Sequence, residues 1–106
     1  MRDMADPRSC FLGTEEGARL LAVVLATHDG RKGWIHRLAV APDARCRGIA
    51  AALVRAAEER LVAQGIRILA CLIERENDPS LSLFASLGYA RDDGIVYLAK
   101  RLDPDV

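Results

Sequence analysis

V-A-P-D-A-R-C-R-G-I-A, residues Val40 to Ala50, decides how the rest of this chain is read. A strand read from Trp34 ends at Val40, and a run of alanines, leucines and valines follows Ala50. Pro42 stops strand pairing because it has no N–H to donate. Gly48 then opens a helix, and the residues ahead of it, Arg45, Cys46 and Arg47, are poor caps. The first N–H groups of that helix therefore lack an internal acceptor. No proline interrupts the donors between Ala44 and Ala50, and a glycine lets the backbone approach a ligand closely. With two arginines alongside, backbone donors and positive charge gather at one point, which suits an anion such as a pyrophosphate.

Downstream, Gly48 to Gln64 reads as the longest helix, with Ile49, Leu53, Ala57 and Leu61 on one face and Gly65 as its C′ residue. Arg67 to Ile73 is strand-like. Asp78-Pro79 reads as N-cap and N1 of a short helix running to Leu87, closed by Gly88. Tyr89 to Asp92, the Asp93-Gly94 turn and Ile95 to Arg101 suggest a final hairpin. Upstream, Arg19 to Thr27 is an apolar run short enough for a buried strand. The Asp29-Gly30 turn pairs it with Trp34 to Val40. Cys10 to Thr14 reads as a further short strand before a turn at Glu15-Glu16-Gly17, and residues 1–9 as a disordered tail. The order β-β-β-α-β-α-β-β implies a mixed α/β (α+β) sheet with helices packed on it, a single domain over residues 10–106.

Composition removes several function classes. Hydrophobic residues at 51% and charged ones at 28% describe an ordinary globular domain. Fifteen basic residues balance fifteen acidic ones, so no overall field draws the chain to nucleic acid. No apolar run reaches membrane-spanning length, and no signal-peptide core is visible. Three cysteines without a Cys-x-x-Cys are most simply reduced thiols in a cytoplasmic protein. Neither His28 nor His36 has a partner at metal-ligand spacing, so no metal is expected.

A second marker supports the first. Val40-x-Pro42, Arg45-x-x-Gly48-x-Ala50, Asn77 and Leu83-Phe84-x-x-Leu87-Gly88-Tyr89, in that order and on those elements, resemble the GNAT superfamily of N-acetyltransferases. The resemblance spans about residues 10 to 102 and implies an acyl-CoA N-acyltransferase fold, abbreviated at its N-terminus. It implies acetyl-CoA as co-substrate, its pyrophosphate at Arg45, Cys46, Arg47, Gly48, Ile49 and Ala50. The pantetheine amides would pair with Leu38, Ala39 and Val40, and Asn77 and Phe84 match further cofactor positions. The acetyl group would sit where the next strand splays away, for direct attack by a primary amine.

Two departures from the family pattern stand out. Phe84 occupies a position where a tyrosine usually protonates the departing thiolate. A general acid is worth ~10²–10⁴ in rate, but thiol pKa values near about 8.5 make a thiolate a tolerable leaving group. Slow or water-assisted chemistry is the expectation. Family members also begin with a strand and two helices that shape the acceptor pocket, where this sequence has about nine residues. Without them, the Cys10–Thr14 strand becomes a sheet edge, and exposed edges invite pairing, which points to a homodimer.

Amine attack on a thioester needs a neutral amine, and a lysine-like amine has a pKa of about 10.4, so a base is expected. His36 suits by its ordinary pKa. Period-two alternation puts it on one side with Trp34 and Leu38. Glu74, just past the run Ile68 to Ile73, is the second candidate. A packed histidine and a solvated strand-end charge are the plainer readings of the two. Tyr89 and Tyr97 are stand-in acids, though Tyr89 also matches a packing aromatic. Three functions stay open: the acetyltransferase, a non-catalytic CoA-binding or interaction module, and a half-domain completed by a partner chain.

Overall fold

The computed structural model describes residues 9–45, 47–103 and 105. Residues 1–8 of the expected 1–9 tail and the loop residue Cys46 lie outside these. Ser9, assigned to that tail, is the first residue of a strand.

Three antiparallel strands come first: β1 (Ser9–Glu16), β2 (Arg19–His28) and β3 (Lys32–Val40). Glu15 and Glu16 are thus strand residues, and the chain reverses at Gly17, whose φ of 64° is left-handed. The β2–β3 reversal is held by Asp29, whose Oδ1 accepts from the N–H groups of Arg31 (3.0 Å) and Lys32 (2.8 Å). These backbone donors hold the Asp29 carboxyl below its ordinary pKa. A short 3₁₀ turn, Pro42–Ala44, leads into helix α1 (Ile49–Ala63). Strand β4 (Ile68–Cys71) then pairs with β3 in parallel, and α2 (Asp78–Ser86) follows. The sheet order is β1-β2-β3-β4.

One sheet face carries the core. Leu53, Val54, Ala57 and Leu61 of α1 pack on Ala22, Val24, Ala26 and Ile35, with Cys10 and Leu12 of β1, Ile66 ahead of β4 and Phe84 of α2 completing the cluster. The α1 face read from the sequence is therefore the buried one, with Val54 added and Ile49 only half-buried at its start.

Alternation fails along β3. Ala26 pairs with Ile35 and Leu25 with Arg37, so His36 is an extra residue, a β-bulge. Beyond it the faces exchange. Leu38 and Val40 oppose the buried Val24 and Ala22, while Arg37 and Ala39 oppose Leu25 and Val23. Leu38 accordingly lies on the core face with Ile35, not beside Trp34 as strict alternation placed it. The bulge keeps two apolar residues in the core that a regular strand would turn outward.

Two further expectations are corrected. The N-cap of α2 is Asn77, not Asp78: Asn77 Oδ1 accepts from Ser80 N–H at 3.3 Å, which moves Asp78 and Pro79 into the first turn. The final hairpin does not form. Residues 90–103 contain no strand, and Ile95, Val96, Tyr97 and Leu98 are 63–87% exposed. Strand preference reflects fit to a half-buried pleated surface, and no such surface receives this segment.

Candidate active site

The loop after β3 has the backbone its sequence calls for. Gly48 is the N-cap of α1 at φ 77°, ψ 5°, and no side chain caps the helix start. In this left-handed conformation a side chain would be strained, while the space around a Cβ is open. Ile49 and Ala50 are the first helical residues, so their N–H groups are among the donors that a helix leaves unmatched. Arg45 and Arg47 flank this point, both exposed. Arg47 donates from Nη2 to Glu16 Oε2 at 2.9 Å, a contact the sequence did not announce. Glu16 reaches the loop only because the β1–β2 hairpin returns it there. A fork between Arg19 and Asp43 ties the start of β2 to the 3₁₀ turn. The guanidinium bonded to it holds the Asp43 carboxyl below its ordinary pKa. Among the described residues, Glu16 and Asp43 at the loop each bond an arginine side chain, and no side chain caps the α1 start.

Upstream of the loop, β3 has an open edge. Ala41 N–H donates to Leu21 C=O at 2.8 Å. Alternation then directs the backbone groups of Ala39 and Arg37 toward β2, and those of Leu38 and Val40 away from it. On that outer side β4 follows β3 only as far as the Ile35–Cys71 pair. Leu38 and Val40 are the residues whose amides face an unpaired edge, whereas Ala39 is committed to Val23.

The two parallel strands part just past that pair. A cleft of about 340 Å³ opens there, lined by Trp34, Ile35, His36 and Leu72. Lys32 Nζ lies 5.5 Å from the centre of the Trp34 ring, within cation–π range. His36 is exposed at the bulge, and its Nε2 is hydrogen-bonded to Thr27 Oγ1 on β2. Cys71, at the end of β4, is a half-buried thiol whose pKa is raised by burial. Glu74 is exposed beyond β4, outside the cleft lining, and its carbonyl accepts from Asn77 N–H at 3.0 Å. The cleft thus brings one of the two base candidates to its wall and leaves the other apart.

Helix α2 closes the core rather than the cleft. Phe84 is 5% exposed, edge-on to Tyr89 with ring centroids 5.0 Å apart. Tyr89 donates its hydroxyl proton to Glu58 Oε2 at 2.7 Å, fastening the end of α2 to α1. Burial first, then the hydrogen bond to Glu58 and its charge, push the phenol pKa far above its ordinary value. Its proton is therefore committed to Glu58. Tyr97 is exposed in the C-terminal segment. Asn77 spends its carboxamide oxygen on Ser80.

Sequence reasoning missed Thr27, Leu72 and Glu16. An isolated threonine in an apolar strand carries no signal of a histidine across the ladder, because a bulge alone brings the two together. Leu72 continues an apolar run, with nothing to mark where the partner strand departs. Among the described residues no group of three His, Cys, Asp or Glu is placed to hold a metal ion. No helix of the described residues is long and apolar enough to cross a membrane.

Comparison with known proteins gives this arrangement a context. The family model described as acetyltransferase (GNAT) family matches residues 1–89. A curated acetyltransferase of Sodalis glossinidius (strain morsitans) is 34% identical over 95 residues, covering 90% of this chain and 67% of the relative. Among solved structures, an aminoglycoside acetyltransferase from an uncultured soil metagenomic sample superposes with a TM-score of 0.82 at 20% identity. That match covers 93% of this chain and 69% of the other. The PaiA N-acetyltransferase of Thermoplasma acidophilum, solved in complex with coenzyme A, gives 0.76 at 22% identity, covering 81% and 54%. At these identities the two structures establish a shared fold.

Proposed function

Because this chain belongs to the GNAT acetyltransferase family, we propose that it takes acetyl-CoA and passes the acetyl group to a primary amine by direct attack. The observation that carries this reading is the uncapped start of α1 behind Gly48, at the end of a strand whose outer edge is open. The pyrophosphate lies against the N–H groups opening α1, with Arg45 and Arg47 as charge-assisted donors. Cys46, Gly48, Ile49 and Ala50 contribute backbone. Leu38 and Val40 offer amides to the pantetheine arm from the open edge of β3, with Ala39 between them. Asn77 and Phe84 flank the arm from α2, one as a helix cap and the other as a packed ring.

The thioester carbonyl then lies at the parting of β3 and β4. An amine in the cleft attacks that carbon, the new C–N bond forms, and the C–S bond breaks with its electrons leaving on sulfur. His36 takes the amine proton. Glu74 is the second base candidate, reached through water. Phe84 supplies no proton and Tyr89 gives its own to Glu58, so the thiolate leaves unprotonated and takes a proton from solvent. A coenzyme thiol near its ordinary pKa of about 8.5 permits this at reduced rate.

The supporting experiment is a calorimetric acetyl-CoA titration followed by a thiol-release assay over an amine panel on the same sample. Binding with turnover supports the transferase. Binding without turnover, and no acceleration on Phe84→Tyr, supports a CoA-binding module instead. An absence of binding removes the whole reading.

A homodimer through β1 is part of the proposal, since β1 is an outer strand eight residues long. Sedimentation at several concentrations tests it, and a monomer throughout counts against both the dimer and the half-domain alternative. A cytoplasmic location is proposed on the reduced state of Cys71.

A further inference from the structure

The bulge does more than return Leu38 to the core. It leaves His36 without a partner on β2 and swings its imidazole against Thr27. Bulges re-aim side chains next to active sites, and here the re-aimed ring lies on the wall of the cleft. A hydroxyl beside an imidazole nitrogen has two possible roles. As donor it occupies the Nε2 lone pair, the ring proton sits on Nδ1, and the histidine has no free base. As acceptor it holds the proton on Nε2 and leaves the Nδ1 lone pair available.

We propose that Thr27 is a positioning residue for His36, accepting its Nε2–H and thereby presenting Nδ1 as the base that removes the proton from the attacking amine. This rests on the acetyltransferase reading above. The step balances simply. The amine nitrogen forms the bond to the acetyl carbon, its proton passes to Nδ1, and the C–S electron pair departs with the thiolate. The imidazolium so formed donates from both nitrogens, and Thr27 Oγ1 remains a competent acceptor throughout, so no rearrangement accompanies the transfer.

Nothing else on the cleft wall titrates, since Trp34, Ile35 and Leu72 are its remaining members. From β3 the neighbouring charges are Arg37 and Lys32, the latter drawn over Trp34. From β2 the adjacent His28 is engaged elsewhere. Its Nε2 bonds Gln64 Oε1 at 2.5 Å, and its Nδ1 accepts from Gly30 N–H at 2.9 Å. Thr27 is therefore the polar group positioned to choose the tautomer of His36.

The test begins without any amine substrate. The chain has two histidines, so a long-range ¹⁵N–¹H spectrum resolves both rings, and His36→Gln assigns them. His36 should show the Nε2–H pattern at a pH where it is neutral. Thr27→Val should convert it to a tautomer mixture while His28 stays unchanged, and Thr27→Ser should restore it. An Nδ1–H pattern in the unsubstituted protein overturns the proposal outright.

With an amine from the panel, Thr27→Val should lower kcat by about fivefold to tenfold, roughly one net hydrogen bond, with KM for acetyl-CoA unchanged. Thr27→Ser should rescue kcat. If His36→Gln leaves kcat unaltered, the base reading itself fails. If His36→Gln is slow but Thr27→Val is not, only the role of Thr27 fails. A faster Thr27→Val variant would mean that the hydroxyl had been blocking Nε2, which is the opposite polarity.

Discussion

The guanidinium of Arg47 donates to the carboxylate of Glu16 at 2.9 Å, so the loop arginine and the last residue of β1 hold each other. A pyrophosphate at the α1 start has to draw Arg47 from that partner. Both side chains are about half exposed or more, and such pairs are worth about 0–1 kcal/mol. Glu16→Gln should therefore tighten acetyl-CoA binding by up to about fivefold, with a steeper salt dependence, because the carboxylate that offsets the positive charge of Arg47 is gone. Arg47→Ala should weaken it. Calorimetric titration at two ionic strengths measures both, and equal affinities for all three proteins would separate Arg47 from the coenzyme.

Gly48 is conformationally required rather than sterically required. Its φ of 77° is left-handed, yet a Cβ there would meet nothing within 4 Å. Gly48→Ala should cost about 1–2 kcal/mol through the backbone alone, read as a lower midpoint in urea unfolding. Gly48→Glu should in addition repel the coenzyme phosphates, so its loss of acetyl-CoA affinity should exceed that of Gly48→Ala. Equal losses would remove the electrostatic part of the argument.

Gly33 presents the opposite case. A Cβ on it would approach Leu61 Cδ1 to 2.8 Å, Ile66 Cγ2 to 3.2 Å and Leu69 Cδ2 to 3.3 Å. Leu61 belongs to the last turns of α1, so the end of that helix packs against β3 here. Gly33→Ala should destabilise by about 1–3 kcal/mol as an overpacking change. Because all three obstructing atoms belong to side chains, Gly33→Ala combined with Leu61→Val should recover part of that loss in the same unfolding assay.

The Tyr89–Glu58 bond makes an alkaline prediction. The phenol is raised above its ordinary value of 10.0 in the folded protein. Between pH 10 and the folded value, the folded chain keeps a proton that the unfolded chain has lost, so stability falls as pH rises. The contribution is complete below pH 10 and declines above it. Tyr89→Phe should lower stability at pH 7 by about 1.5–3 kcal/mol, the range for hydrogen bonds to charged groups. It should also flatten the decline measured by unfolding between pH 10 and 11. An unchanged slope would mean that the phenol is not raised by burial and Glu58 in the folded protein.

Legibility followed the range of the interaction. The α1 boundaries, the glycine at its start and the three-strand meander were readable because helix periodicity, turn chemistry and proline placement are local. The α2 cap was misplaced by one residue, since Asn77 and Asp78 are both good caps and the choice depends on which oxygen reaches Ser80 N–H. The C-terminal hairpin was read from the residue types of Ile95 to Leu98. Their exposure shows that strand-forming residues do not make a strand where no edge receives them.

From its order of residues alone this protein declared a strand, an uncapped glycine-started helix and flanking arginines, because backbone donors and charge are properties of a few consecutive positions. The folded chain decided what faces them. One inserted residue at position 36 reversed the faces of β3, seated Leu38 in the core and brought His36 to Thr27 at the mouth of a cleft. A bulge is set by how the hydrophobic positions of β2 and β3 register across the ladder, a balance summed over the whole sheet that no short stretch of sequence contains.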